Sequence, residues 1–293
     1  MRRALAAAVR RTGATGLAAV ALFYALWGLQ YARADLVMRA GWQAHAAPPV
    51  SVAAATAELT VLASELVDAA NHDYRTAFGS ADIGAPSDAR DRLAEIDRAV
   101  DAGLAAVAPV LRESVAFTRP RGPAKPLAAS LVLSYQGLVG VYAPWTGEAN
   151  FNRLAPGHEV PHAIAHEKAH QRGIAREDEA NFAGYLACDA SPDAYVRYAG
   201  HLFAQRQLLH ELGRLDADRA AELVARRLPG VQRDVDASRA FWARFDGPVR
   251  RVQTRTNDAY LKLNGMPDGV GAYGRSAALV VAYARANGGR VVR

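Results

Sequence analysis

The chain has 293 residues, 51% of them hydrophobic and 22% charged, with a mean hydropathy of −0.07, which describes a globular protein and excludes a disordered chain or a multi-span channel. Its single cysteine, Cys188, excludes an internal disulfide, a zinc ribbon and a thioredoxin-type site, each of which needs a cysteine pair. The formal charge of +6 invites a nucleic-acid reading. However, Arg2, Arg3, Arg10 and Arg11 supply four of those charges in a segment without acids, and no basic–aromatic motif follows, so no nucleic-acid partner is expected.

Those arginines precede an uncharged run from Thr12 to Tyr31. Twenty helical residues rise about 30 Å, the hydrocarbon thickness of a bilayer. Tyr24, Trp27 and Tyr31 stand towards the far end, where aromatic rings favour the interface. The pattern predicts one transmembrane helix over about 12–31, with a basic cytoplasmic tail before it and the remainder of the chain outside the cytoplasm. Ala32-Arg33-Ala34 is a small-x-small triplet, so a cleaved signal peptide stays open as the alternative. Ala46-Ala47-Pro48-Pro49 reads as a hinge closing a first region, 1–49, ahead of a second domain, 50–293.

Beyond the hinge, residues 53–74 carry apolar side chains at helical spacing, and Ser87 opens a second helix with acids in its first turns. Strands are predicted at 114–118, 129–135, 138–142 and, more briefly, 147–152. Helices resume at Pro161 and fill the rest, with breaks near Gly173, Pro192, Pro229, Pro248 and between Gly265 and Gly271. The expected class is α+β, mostly helical, with a small sheet.

The stretch that carries chemistry is Pro161-His-Ala-Ile-Ala-His166-Glu167-Lys-Ala-His170-Gln-Arg-Gly173. Proline suits the first turn of a helix, and Gly173 can end it in a left-handed turn. His166 and His170 then lie one turn apart on one face, able to offer two nitrogens to one metal, with Glu167 placed to take a proton from a metal-bound water. A following helix near Arg176 carries Glu177 and Glu179, either of which can add a carboxylate. Two histidines, one carboxylate and an open position form a catalytic zinc set rather than a structural one. The strand at 147–152 is a candidate floor for an extended peptide.

Residues 147–188, with Phe23–Tyr31, Tyr260–Gly265 and Tyr273-Gly-Arg275, resemble a bacterial membrane family catalogued as domain of unknown function 3810 (DUF3810) and considered zincin-like. Members of that family carry further spans ahead of the one seen here. More distantly, Arg176-Glu177-Asp-Glu-Ala180-Asn181 is similar to the E-x-x-A-D helix of gluzincin membrane proteases of the HtpX and Ste24 kind. That similarity implies Glu177 as the third zinc ligand. Asn181 stands where those proteases have Asp, and the gap after His170 is shorter than theirs, which keeps Glu179 as the alternative ligand.

The resemblance implies a zincin-like metallopeptidase domain in a bacterial cytoplasmic membrane, and the amino-terminal pattern makes it single-pass with its carboxy-terminal domain outside. The expected activity is zinc-dependent hydrolysis of a peptide or protein substrate, with Glu167 as general base. The alternative keeps the zinc and the fold in a catalytically silent membrane-anchored scaffold. Tyr273 and Arg275 are the candidates for stabilising the oxyanion, and Asn181 for orienting a ligand histidine. His158 and His162 are expected to line the site without binding metal. Phe241, Trp242 and Phe245 are expected in the core, as is Cys188.

Overall fold

In the computed structural model, which describes residues 2–263 and 272–292, helix α1 (Arg2–Leu26) takes in Arg10 and Arg11 and stops at Leu26. A 3-10 turn follows at Gly28–Ala32. The helix expected over 12–31 is therefore cut short. Trp27 and Tyr31 are not at its exposed end: both are buried, packed with Ala175. Among the described residues no helix is long and apolar enough to cross a membrane.

The next segment also departs from expectation. Helix α2 (Leu36–Ala40) is capped by Asp35, whose carboxylate accepts from the Met38 N–H at 2.8 Å. Leu36 and Trp42 are buried in the main core, the Trp42 ring 5.9 Å from Phe182 and 5.8 Å from Tyr283. A boundary at 49/50 would cut through that packing. The prolines at 48 and 49 are exposed and carry no regular structure.

The body is built from α3 (Val52–Phe78), α4 (Leu93–Val107), α5 (Ser130–Gln136), α6 (Val160–Gln171), α7 (Glu177–Asp189), α8 (Ala194–Leu215), α9 (Ala217–Ala225), α10 (Pro229–Ala243), α11 (Pro248–Leu263) and α12 (Ala272–Ala286). Helix α7 lies at the centre, buried from Asp178 to Asp189, with α4, α6, α8 and α12 packed around it. Its uniform burial explains why it carries Ala180, Ala183, Gly184 and Ala187, small residues that let neighbouring helices approach from all sides. Cys188 belongs to this core, and burial pushes its thiol pKa upward.

The sheet has three short strands, β1 (Lys125–Pro126), β2 (Gly140–Ala143) and β3 (Glu148–Phe151), in the order β1-β3-β2. β1 runs parallel to β3, and β2 antiparallel to it with Val141 opposite Asn150. Two expected strands are helical instead. Residues Val115–Thr118 form a 3-10 turn. The run at 129–135 is α5, where the hydroxyls of Ser130 and Ser134 bond back to the carbonyls of Leu127 and Ser130 and Gly137 closes the helix at φ +75°. Short apolar runs of that length suit either conformation, so the pattern alone does not decide between them.

Candidate metal centre

Helix α6 is held from behind by charge. Lys168, fully buried, places its ammonium 2.8 Å from both Asp97 and Asp101 of α4, and Arg172 donates to Asp101 at 2.6 Å and to the Phe117 carbonyl at 2.9 Å. Two cations four residues apart on α6 thus face two carboxylates four residues apart on α4. Such paired buried charges fix rotation and register, because a slip by one residue would strand a charge without its partner. The sequence carries the signal in those matching spacings, although only in hindsight does it point to a site.

With α6 so oriented, His166 and His170 face the opposite side, their Nε2 atoms 3.0 Å apart. The first residue of α7 completes a triangle. Glu177 Oε2 lies 3.3 Å from His166 Nε2, and its Oε1 lies 3.6 Å from His170 Nε2. A tetrahedral ion with ligand bonds of about 2.0–2.1 Å requires donors roughly 3.3 Å apart, so these three side chains have the spacing to share one. The Nδ1 of His170 donates to the Ile174 carbonyl at 2.6 Å, which leaves Nε2 as the lone-pair nitrogen. The charges converge as well. Against the opposing effect of burial, Glu177 raises the His170 pKa to about 9, and the two histidines in turn hold Glu177 well below the usual carboxylate range. Among the described residues this is the one histidine–carboxylate group gathered closely enough to hold a metal.

Glu167 is buried beside this triangle, and burial raises its pKa, with His166 and His170 opposing the shift. Strand β2 crosses directly over it. A Cβ at Gly140 would stand 2.4 Å from Glu167 Oε1, so only glycine leaves the carboxylate room. Sequence reading did not single out Gly140. The floor expected at 147–152 is also displaced by one strand: β3 is paired on both sides, whereas β2 is the edge strand and borders the cavity. That cavity, about 1130 Å³, contains His166, Glu167, His170 and Glu177 on its wall.

The family model for "Protein of unknown function (DUF3810)" matches residues 1–281. The chain belongs to the DUF3810 family. No curated protein and no solved structure matches it. In this DUF3810 member the amino-terminal segment also contributes to the cavity wall. Phe23, Trp27 and Tyr31 border it, and the Trp27 ring meets Tyr142 at 4.7 Å and His170 edge-on at 5.8 Å. Arg33 anchors the same segment through Glu113 at 3.0 Å and the Gly173 carbonyl at 3.1 Å.

Other expected residues are placed elsewhere. Glu179 turns away from the histidines, accepting from the Leu36 N–H at 2.8 Å and Arg39 at 2.7 Å. Arg275 sits behind α7, its Nε 3.4 Å from Asp178, and does not border the cavity. Tyr273 falls in the first turn of α12, and its side chain lies outside the described residues. Asn181 orients neither ligand: the contact it makes is through its carbonyl to His162 Nε2 at 3.2 Å. His162 also stacks on Phe203 and, like His158, is buried on the cavity wall, where burial lowers their pKa values to about 3 and about 4. The aromatic group expected in the core is only partly buried, and Trp242 borders the cavity with its indole N–H 3.0 Å from Glu159.

Proposed function

We propose that this DUF3810 member is a membrane-anchored zinc peptidase that uses Glu167 as general base. The observation that carries the reading is the donor triangle of His166, His170 and Glu177 with a buried carboxylate next to it in sequence and in space. Zinc on those three residues would supply an acidified water and a polarised carbonyl. Glu167, with its proton affinity raised by burial, accepts the proton from the attacking water and passes it to the leaving amine. Gly140 lets β2 lie against that carboxylate, to which the Tyr142 N–H of β2 donates, and the remaining free edge of β2 offers main-chain groups to an extended peptide. Trp27 and Tyr142 shield the His170 side from water.

Attachment to a membrane rests on α1. Leu17, Val20, Leu22 and Leu26 are at least half exposed along it, and four arginines flank its start. An apolar helix surface with no protein covering it suits lipid. The buried packing of Trp27, Tyr31 and Arg33 favours a retained segment over a cleaved one, since cutting at 32–34 would release a wall of the cavity.

The test is metal content and hydrolysis by the full-length chain in detergent. About one zinc per chain is expected, lost in His170→Ala and kept in Glu167→Gln, together with cleavage of a peptide library that Glu167→Gln abolishes. Wild-type protein without zinc, or cleavage indifferent to Glu167→Gln, would overturn the proposal.

A further inference from the structure

The cavity that carries the metal triangle has a second end of different chemistry. Arg206 of α8, Arg227 after α9, Arg239 of α10 and Arg250 of α11 all border it. Few anions answer them. Glu159 approaches Arg206 only to 3.5 Å, its carboxylate being already engaged by Ser238 and the Trp242 indole. Asp236 meets Arg239 at 3.3 Å in a pair open to solvent. Arg227 hydrogen-bonds to the amide oxygens of Gln205 at 2.6 Å and Gln232 at 3.2 Å and to no carboxylate among the described residues. Burial and the nearby Arg206 and Arg239 lower its pKa to about 10. The Arg250 guanidinium has no hydrogen bond or ion pair with another described residue, and it lies against Gly137, just before β2.

Arg206 and Arg239 stand within electrostatic reach of Arg227. Guanidinium groups gathered with so little counter-charge repel one another, and an anion that enters among them relieves that repulsion while gaining bidentate hydrogen bonds. A second observation points to a ligand. His158 is buried on the same wall, and neither of its ring nitrogens has a partner among the described residues. Its imidazole therefore holds one donor and one acceptor unanswered beside the arginines.

Distance sets where the anion would fall. Glu159, which marks the arginine end, precedes His166 by seven residues, about 10 Å along the helix. An extended peptide covers that in about three residues. We infer that the preferred substrate is a peptide bearing a carboxylate about three residues from the bond that is cut, bound by Arg227 and its neighbours Arg206 and Arg239. The inference rests on the peptidase reading for the position of the cut, but the preference for an anion is a property of binding alone. The carboxylate can belong to an Asp or Glu side chain or to a free carboxy terminus.

The experiment measures binding of fluorescent peptides to full-length Glu167→Gln protein by anisotropy, in parallel with cleavage by the wild type. Matched peptides carry Glu, Gln or Lys at one position, each with a free or an amidated carboxy terminus. An advantage of about tenfold or more for one carboxylate-bearing arm is expected, the size of a charge-assisted hydrogen bond. Which arm gains it identifies the source. In Arg227→Gln and Arg206→Gln that advantage should fall towards unity, and in Arg227→Lys it should largely persist, which separates charge from packing. Equal binding of all arms, or an advantage untouched by either glutamine variant, overturns the inference. Charge-selective binding without cleavage would retain the anion site and overturn only the peptidase reading.

Discussion

His170 and Ile174 are joined by a 2.6 Å hydrogen bond from the imidazole Nδ1 to a main-chain carbonyl that α6 itself does not reach. The carbonyl is brought there by Gly173, whose φ of +95° turns the chain back on the helix end. One turn thus both ends the helix and sets the tautomer of one of the three residues spaced to hold a metal. Replacing Gly173 with Ala places a side chain in that left-handed conformation, where nothing crowds it but the backbone is strained. Zinc affinity should fall about 10–100-fold. Competition against a chromogenic chelator measures it, and unchanged affinity would show that the turn is irrelevant to the ligand.

Gly140 offers a separate handle on the proposed chemistry. In Gly140→Ala the added methyl must displace the Glu167 carboxylate or lift β2, since 2.4 Å is far inside contact distance. Zinc should stay bound, because none of its three ligands is touched. Turnover should drop about 100-fold, the scale of a displacement of about 1 Å at a reacting group. Single-turnover kinetics alongside metal analysis separates the two effects, and full activity in this variant would count against Glu167 as the base.

Trp42 tests how the amino-terminal segment is integrated. It is buried against Phe182 and Tyr283, so Trp42→Ala should cost about 3–5 kcal/mol. A chain shortened to residues 50–293 should fare worse, losing Leu36 and Trp42 together and leaving the buried Glu179 carboxylate without Arg39 or the Leu36 N–H. Thermal melts of both variants check this. A shortened chain as stable as the whole would mean that the hinge at 46–49 does separate two independent units.

His201 makes the stability depend on pH. Its Nε2 lies 2.8 Å from Asp189 and its Nδ1 2.9 Å from Asp73, which also holds Arg197 at 2.8 Å. Burial opposes a charge on the ring, but the two carboxylates prevail and raise its pKa above 6.5. The Asp73 carboxyl, despite burial, is held below 3.8 by His201 and Arg197. A histidine raised in the folded state contributes stability that is complete below about pH 6.5 and drains away as pH rises through its folded value. The Asp73 contribution is present above its ordinary pKa and fades as pH falls through the lowered one. The melting-temperature deficit of His201→Gln should therefore be greatest near pH 5–6 and narrow towards pH 9. A deficit constant with pH would show that the ring is not charged in the fold.

What could be read in advance divides by distance along the chain. Pro161, the histidines at 166 and 170, and Gly173 act through a single helix, so spacing alone placed them. The same holds for Cys188 in an apolar run. Residues 130–136 misled because a short run of Leu, Val and Ser fits a strand and a helix equally well. In the segment at 12–31 the far end departs from expectation: its composition suits lipid, but Trp27 and Tyr31 find protein partners more than 100 positions away, at Tyr142, His170 and Ala175. Gly140 over Glu167, and arginines gathered from four segments, depend on tertiary folding and leave no local pattern to recognise.

The three groups of the donor triangle lie within twelve consecutive residues, from His166 to Glu177. Closing so short a loop costs little entropy, so the cradle draws on one stretch of chain, steadied from behind by α4. Its surroundings are the reverse, recruited from residues as far apart as Trp27 and Arg250. Change in one therefore need not disturb the other. Related chains can retain the cradle unaltered while replacing the walls, and with them what the cavity admits.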